Sequence, residues 1–284
     1  VLVKWLVLSA LVFGCSGCLA TRVAQRAGVS GWFRADLQPK TADGYKERFA
    51  PVDLDEPTFP CGELTARERD GSTPIIVLVP GVGADGPEMH VALSTLMARP
   101  PASVFMFRWL MYDERDQIAK RLADGVTRLA ECLPDSDGRI LVVAHSAGGV
   151  LASYAVSHVQ LPPLSARGPW VTVLTVASPL AGKMTFQPPP SGRQEKMFML
   201  DLGTRITAYP PPARGIRVVH LRTHSPADPM MDPVADLVPN DPAVGVPGAP
   251  QLDLPGGLDH PGALEYVVTE ISNNRWLGWR DGAP

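Results

Sequence analysis

The sequence predicts an α/β fold, a mostly parallel sheet with helices on both faces. Two observations carry that reading. Several short runs are apolar almost throughout: residues 74–80, 104–107, 140–144, 171–176 and 216–221. Such runs suit strands buried on both faces, as in a parallel sheet, better than strands with one wet face. Between them lie stretches with apolar residues at helical spacing, and strand–helix alternation implies parallel strands joined by helical crossovers.

Taken in order, residues 1–20 stand apart. Lys4 is the only charge before Arg22, and residues 5–13 form an apolar core followed by Gly14-Cys15-Ser16-Gly17-Cys18. Length and flanks fit a signal peptide and are short for a membrane-spanning helix. The small residues ending in cysteine resemble a bacterial lipobox, which would lipidate Cys18, with Cys15 as the alternative. The expected location is the bacterial cell envelope, anchored to a membrane through that lipid, or secretion if the segment is an ordinary signal. Residues 21–73 are polar and broken by Pro51, Pro57 and Pro60. They read as an N-terminal extension that holds short strands or wraps the domain.

The α/β rhythm begins at residue 74 and defines a domain over 74–284. A strand over 74–80 leads into the loop Gly81-Val82-Gly83-Ala84-Asp85-Gly86. A helix is expected over 87–97 and a strand over 101–108. The clearest helix carries Ile118, Leu122, Val126, Leu129 and Leu133 on one stripe, with Asp113 as its cap. After the strand at 140–144 a helix follows over 150–156, then a strand within 170–177. A proline-rich excursion spans 179–215, a strand covers 216–221, and a long acidic loop runs to Gln251. The last helix begins after Pro261, with Leu264, Val267, Val268 and Ile271 on one face.

Composition sets bounds on function. The 284 residues are 45% hydrophobic with net charge −3, which suits one large domain and gives no sign of a nucleic-acid surface. Thirty prolines and 26 glycines cluster between the periodic segments, as in a scaffold with long irregular loops. No metal or cofactor is implied: the acidic loop lacks the spacing of a calcium-binding hand. Cys61 and Cys132 remain after the leader. An oxidising envelope permits a disulfide between them, and a buried free thiol at Cys132 is the alternative.

The chemistry centres on Ile140-Leu141-Val142-Val143-Ala144-His145-Ser146-Ala147-Gly148-Gly149. A serine at a strand-to-helix corner sits on a tight turn with its hydroxyl pushed outward, and residues two before and two after it must be small. Ala144 and Gly148 occupy those places, so Ser146 reads as a nucleophile on an elbow. A serine hydroxyl needs a base and a group to orient that base. Of six histidines, His260 lies in a glycine-rich loop before the last helix and is the expected base, with His224 second. His145 is rejected because its side chain points away from that of its neighbour. The orienting acid should leave a strand end between serine and histidine; Asp228 fits, with Asp232, Asp236 and Asp241 as rivals in the same loop.

The order Ser146, Asp228, His260 resembles that of the α/β-hydrolases, in their lipase and esterase branch. The resemblance covers about 74–271 and rests on Val79-Pro80-Gly81-Val82, on Ala144 to Gly148, and on Val176-Ala177-Ser178-Pro179-Leu180-Ala181-Gly182. Pro80 and Leu180 stand where histidines are common in that family. The resemblance implies an oxyanion hole from the backbone N–H groups of Ala147 and Val82, and a cap or lid over 179–215 that includes Phe198 and Leu202. The expected activity is hydrolysis of carboxylic esters, lipid or acyl esters foremost. An acyltransferase or thioesterase using the same triad is the alternative within the chemistry, and a non-catalytic hydrolase-fold lipoprotein the alternative outside it.

Overall fold

The computed structural model describes residues 31–37, 47–56, 59–69, 74–81, 87–97, 103–109, 114–133, 139–161, 171–180, 208–223 and 245–273. Eight strands form one sheet: β1 (Gly31–Leu37), β2 (Glu47–Val52), β3 (Ile75–Val79), β4 (Ser103–Arg108), β5 (Ile140–His145), β6 (Val171–Val176), β7 (Ile216–Arg222) and β8 (Gln251–Asp253). Their order across the sheet is β2-β1-β4-β3-β5-β6-β7-β8. The six strands from β4 to β8 in that order run parallel, and β1 runs antiparallel to both β2 and β4. The helices are a single turn α1 (Ala66–Arg69), then α2 (Pro87–Met97), α3 (Arg115–Glu131), α4 (Ala147–Ala155) and α5 (His260–Ser272). This mostly parallel open sheet, covered by helices, is the α/β architecture expected from the apolar runs.

The alternation of side chains along a strand divides the core in two. Ile75, Val77 and Val79 of β3 join Ile118, Leu122, Val126 and Leu129 of α3 and Val150 and Leu151 of α4 on one face. Ile76 and Leu78 join Leu93 and Leu96 of α2 and Leu264, Val267 and Ile271 of α5 on the other. All five residues of β3 and all six of β5 are buried, as strands sandwiched between helix layers must be.

Three details differ from the sequence reading. The N-cap of α3 is Glu114, whose side chain makes no capping hydrogen bond; Asp113 lies outside the described residues. β8 is a strand within what reads as loop: three residues, none fully buried, carry no periodicity to betray it. And the sheet does not begin at residue 74.

The described residues before 74 are built into the sheet and its packing. β1 pairs with β4, and its Trp32 is buried against Phe107 with ring centroids 5.1 Å apart. The Trp32 indole N–H donates to the Arg121 carbonyl of α3 at 3.3 Å, and the indole lies where a side chain at Gly125 would stand. Arg34 reaches Glu68 with two hydrogen bonds of 2.6 and 2.8 Å, and Glu68, fully buried, also accepts from the Thr65 N–H. A buried carboxylate is tolerable only with such complete pairing. Cys61 and Cys132 form a disulfide with Cα atoms 5.2 Å apart, which settles the open question of that pair and ties the segment to the end of α3.

Candidate active site

Strand order dictates where a site can form. The chain leaves β3 to make β4 on one side, then returns to place β5 on the other side of β3. At such a reversal the loops leaving two adjacent parallel strands diverge and open a crevice at their carboxyl ends. Gly81 follows β3 and Ser146 follows β5, so Gly81 and the elbow serine meet there. A Cβ added at Gly81 would stand 2.7 Å from the Ser146 Cβ and 3.1 Å from its Oγ. Only a residue without a side chain lets that backbone lie against the serine.

The elbow itself is strained. Ser146 has φ 56° and ψ −131°, and it is one of two non-glycine residues of positive φ among the described residues. A side chain there costs of order 1–3 kcal/mol unless the surroundings hold it. They do. The Ser146 N–H donates to the Val176 carbonyl of β6 at 2.9 Å, and the Ser146 carbonyl accepts from the Gly149 N–H at 2.9 Å, starting α4. A side chain at Gly148 would collide with the carbonyl oxygens of Val79 and Pro80, and one at Gly149 would collide with Ser178. Ala144, two residues before the serine, is fully buried in β5 between Val79 and Thr175, so its methyl group is accommodated. Ala147 is the first residue of α4, and the first backbone N–H groups of a helix have no acceptor within it. The buried Trp109 indole N–H donates to the Pro80 carbonyl at 2.8 Å, pinning the peptide that enters residue 81.

His260 is the first residue of α5. Asp259 caps that helix by accepting from the Gly262 N–H at 2.8 Å, and Pro261 occupies its first turn. Both ring nitrogens of His260 are buried. The ring stands 4.5 Å, centroid to centroid, from that of His145, the residue next to the serine. His145 Nε2–H donates to the His260 backbone carbonyl at 3.0 Å. Burial, reinforced by the charge His260 can carry, lowers the His145 pKa to about 3, so the ring is neutral near pH 7.

His220, in β7, is a second buried histidine. Its Nε2 accepts from the Val246 N–H at 3.0 Å, which leaves Nδ1–H to donate to Thr175 Oγ1 at 2.7 Å. Burial and then the Arg222 charge lower its pKa to about 4. It is a packing and hydrogen-bonding residue within the sheet, as its strand position predicts.

The structure thus places Ser146 and Ala147 at the elbow and brings His260 to the residue beside them. Val82, Asp228 with its rivals Asp232, Asp236 and Asp241, His224, Cys15 and Cys18 lie outside the described residues, as does 181–207 of the expected cap. The contact that sequence reasoning missed is His145 to His260. The two residues are 115 positions apart, so no local pattern could signal it. Among the described residues no cluster of three or more His, Cys, Asp or Glu could hold a metal ion.

Comparison with known proteins bears on the segment that holds the elbow. No curated protein matches the sequence significantly. Among solved structures, the chain is similar to a dienelactone hydrolase from Anabaena variabilis (14% identity, 86% of this chain and 95% of that one, TM-score 0.44). It is similar also to esterase B from Lactobacillus rhamnosis (13% identity, 96% and 94%, TM-score 0.46) and to a "putative thioesterase" from Silicibacter (16% identity, 84% and 81%, TM-score 0.44). Residues 73–195, which include β3, the elbow and α4, match the family described as "Putative serine esterase (DUF676)".

Proposed function

We propose that this protein is a serine hydrolase that cleaves carboxylic esters, lipid or acyl esters foremost, through an acyl-enzyme. The observation that carries the reading is the strained Ser146 at a β-strand-to-helix corner, facing the bare backbone of Gly81 at the sheet's switch point. Strain of this kind has a use: it lifts the hydroxyl out of the sheet toward a substrate. The match of residues 73–195 to a serine esterase family supports the same chemistry.

In this mechanism Ser146 Oγ attacks the ester carbonyl carbon while His260 takes the hydroxyl proton, with Asp228 orienting the imidazole. The carbonyl oxygen becomes an oxyanion, met by the backbone N–H groups of Ala147 and Val82. Preorganised donors aimed at that charge are worth about 3–4 kcal/mol each in a measured protease case. Collapse of the tetrahedral adduct breaks the ester C–O bond, and His260 returns the proton to the departing alcohol. Water, deprotonated by His260, then attacks the acyl carbon; the bond from that carbon to Ser146 Oγ breaks, His260 returns its proton to Oγ, and the carboxylic acid leaves. An aqueous fluorophosphonate probe tests the reading. Wild-type protein is labelled and Ser146→Ala is not; labelling that survives the substitution sinks the proposal. His260→Ala should lower p-nitrophenyl ester hydrolysis by orders of magnitude, and His224→Ala should leave it nearly unchanged.

We further propose that the chain works in the cell envelope, tethered by a lipid on Cys18. The Cys61–Cys132 disulfide supports an oxidising compartment. Palmitate incorporated by wild type and lost in Cys18→Ala is the expected result; incorporation unaffected by either Cys15 or Cys18 replacement contradicts it.

A further inference from the structure

We infer that His145 is a positioning residue for the base: its ring fixes the backbone of His260 relative to Ser146. The inference rests on the reading of Ser146 and His260 as nucleophile and base. It goes beyond it by giving a task to the one histidine that the elbow motif carries and the triad leaves idle.

The geometry is specific. The acceptor is the carbonyl of His260 itself, not a side chain that could move aside. A carbonyl cannot donate, so the proton must sit on His145 Nε2, and the tautomer is set. The donor belongs to the last residue of β5, one peptide bond from Ser146, and the acceptor to the first residue of α5. One hydrogen bond of 3.0 Å therefore links the residue next to Ser146 to the backbone of His260. The ring is almost fully buried, 2% exposed, and it packs against the His260 ring at a tilt of 42°.

A second attachment acts on the same helical turn: Asp259 holds the Gly262 N–H. Asp259 shapes the helix start from within, whereas His145 ties that start to the elbow. The lowered pKa of His145 fits the task, since a neutral ring does not oppose the positive charge that His260 gains during attack. Misplacement of a reacting group by about 1 Å can cost on the order of 100-fold in rate.

The test compares His145→Leu and His145→Phe, which lack the donor, with His145→Gln, whose amide N–H can reach the same carbonyl. With p-nitrophenyl butyrate, the two apolar variants should lose roughly 10- to 100-fold in kcat with KM within about threefold of wild type. His145→Gln should recover most of that loss. Hydrogen–deuterium exchange of peptides covering 258–266 reads the tether without any activity. Exchange there should quicken in His145→Leu or His145→Phe and return toward wild type in His145→Gln. Unchanged exchange in a folded apolar variant overturns the inference, as does a Gln variant as impaired as the apolar ones. Ser146→Ala, assayed alongside, separates the two claims: full ester hydrolysis by that variant rejects the nucleophile, whereas the exchange data still judge the tether.

Discussion

His145 and His220 lie buried in neighbouring parts of one sheet, and both are held neutral, yet they are wired in opposite senses. His145 carries its proton on Nε2 and donates to the carbonyl of the first residue of α5. His220 carries its proton on Nδ1, donates to Thr175, and accepts the Val246 N–H on Nε2. The first ties the elbow to a helix from a distant part of the chain. The second ties β7 to the backbone that returns toward β8, where Gly245 at φ 120° comes so close that an added Cβ would stand 2.6 Å from the imidazole. The difference teaches that burial sets the charge state of a histidine while its partners decide what it does. A ring that only donates can act as a strut to a reacting residue. A ring satisfied on both nitrogens is a rivet.

The strongest way to separate the two is acid. Each ring is neutral when folded and takes a proton more readily when unfolded, near pH 6.5, so the unfolded chain binds more protons as pH falls. Stability is therefore fully present above pH 6.5 and drains away below it. The His220 contribution stops changing near pH 4, and that of His145 near pH 3. The linked loss is on the order of 3–5 kcal/mol for each ring. Urea unfolding between pH 7 and 3 should show a shallower decline in His220→Gln that rejoins the wild-type slope below pH 4, and in His145→Gln a difference that persists to pH 3. Identical slopes in all three proteins would break the comparison. A smaller effect sharpens it: Thr175→Val strands the Nδ1–H of His220 and should cost about 1–3 kcal/mol at pH 7. That change leaves the His145 bond intact, so exchange at 258–266 should match wild type.

The parts legible in sequence are those where the sheet imposes a simple pattern. β3 and β5, buried on both faces, announce themselves as unbroken apolar runs, and α3 as a stripe at helical spacing. The elbow is legible because the small residues it needs, Ala144, Gly148 and Gly149, all lie within three residues of Ser146, although the atoms that crowd the two glycines belong to Val79, Pro80, Thr175 and Ser178. β1 and β2 are not legible as members of the sheet. They pair antiparallel at one edge, mix polar and apolar residues, and owe their place to Trp32 packing on a helix about 90 residues later. The Cys61–Cys132 pairing and the His145–His260 bond are hidden for the same reason: both join places far apart in the chain.

The disulfide has a practical consequence for anyone who makes this protein. It closes a stretch of 71 positions that contains β3, α2, β4 and α3, which on chain-entropy grounds is worth about 4 kcal/mol to the folded state. Chain synthesised in a reducing cytosol, or purified with thiol reagents, lacks that cross-link and keeps two thiols able to pair wrongly. Such material would give a low specific activity that reflects its handling rather than its chemistry. Thiol counting under denaturing conditions should therefore precede any comparison of variants, and export to an oxidising compartment is the production route the fold favours.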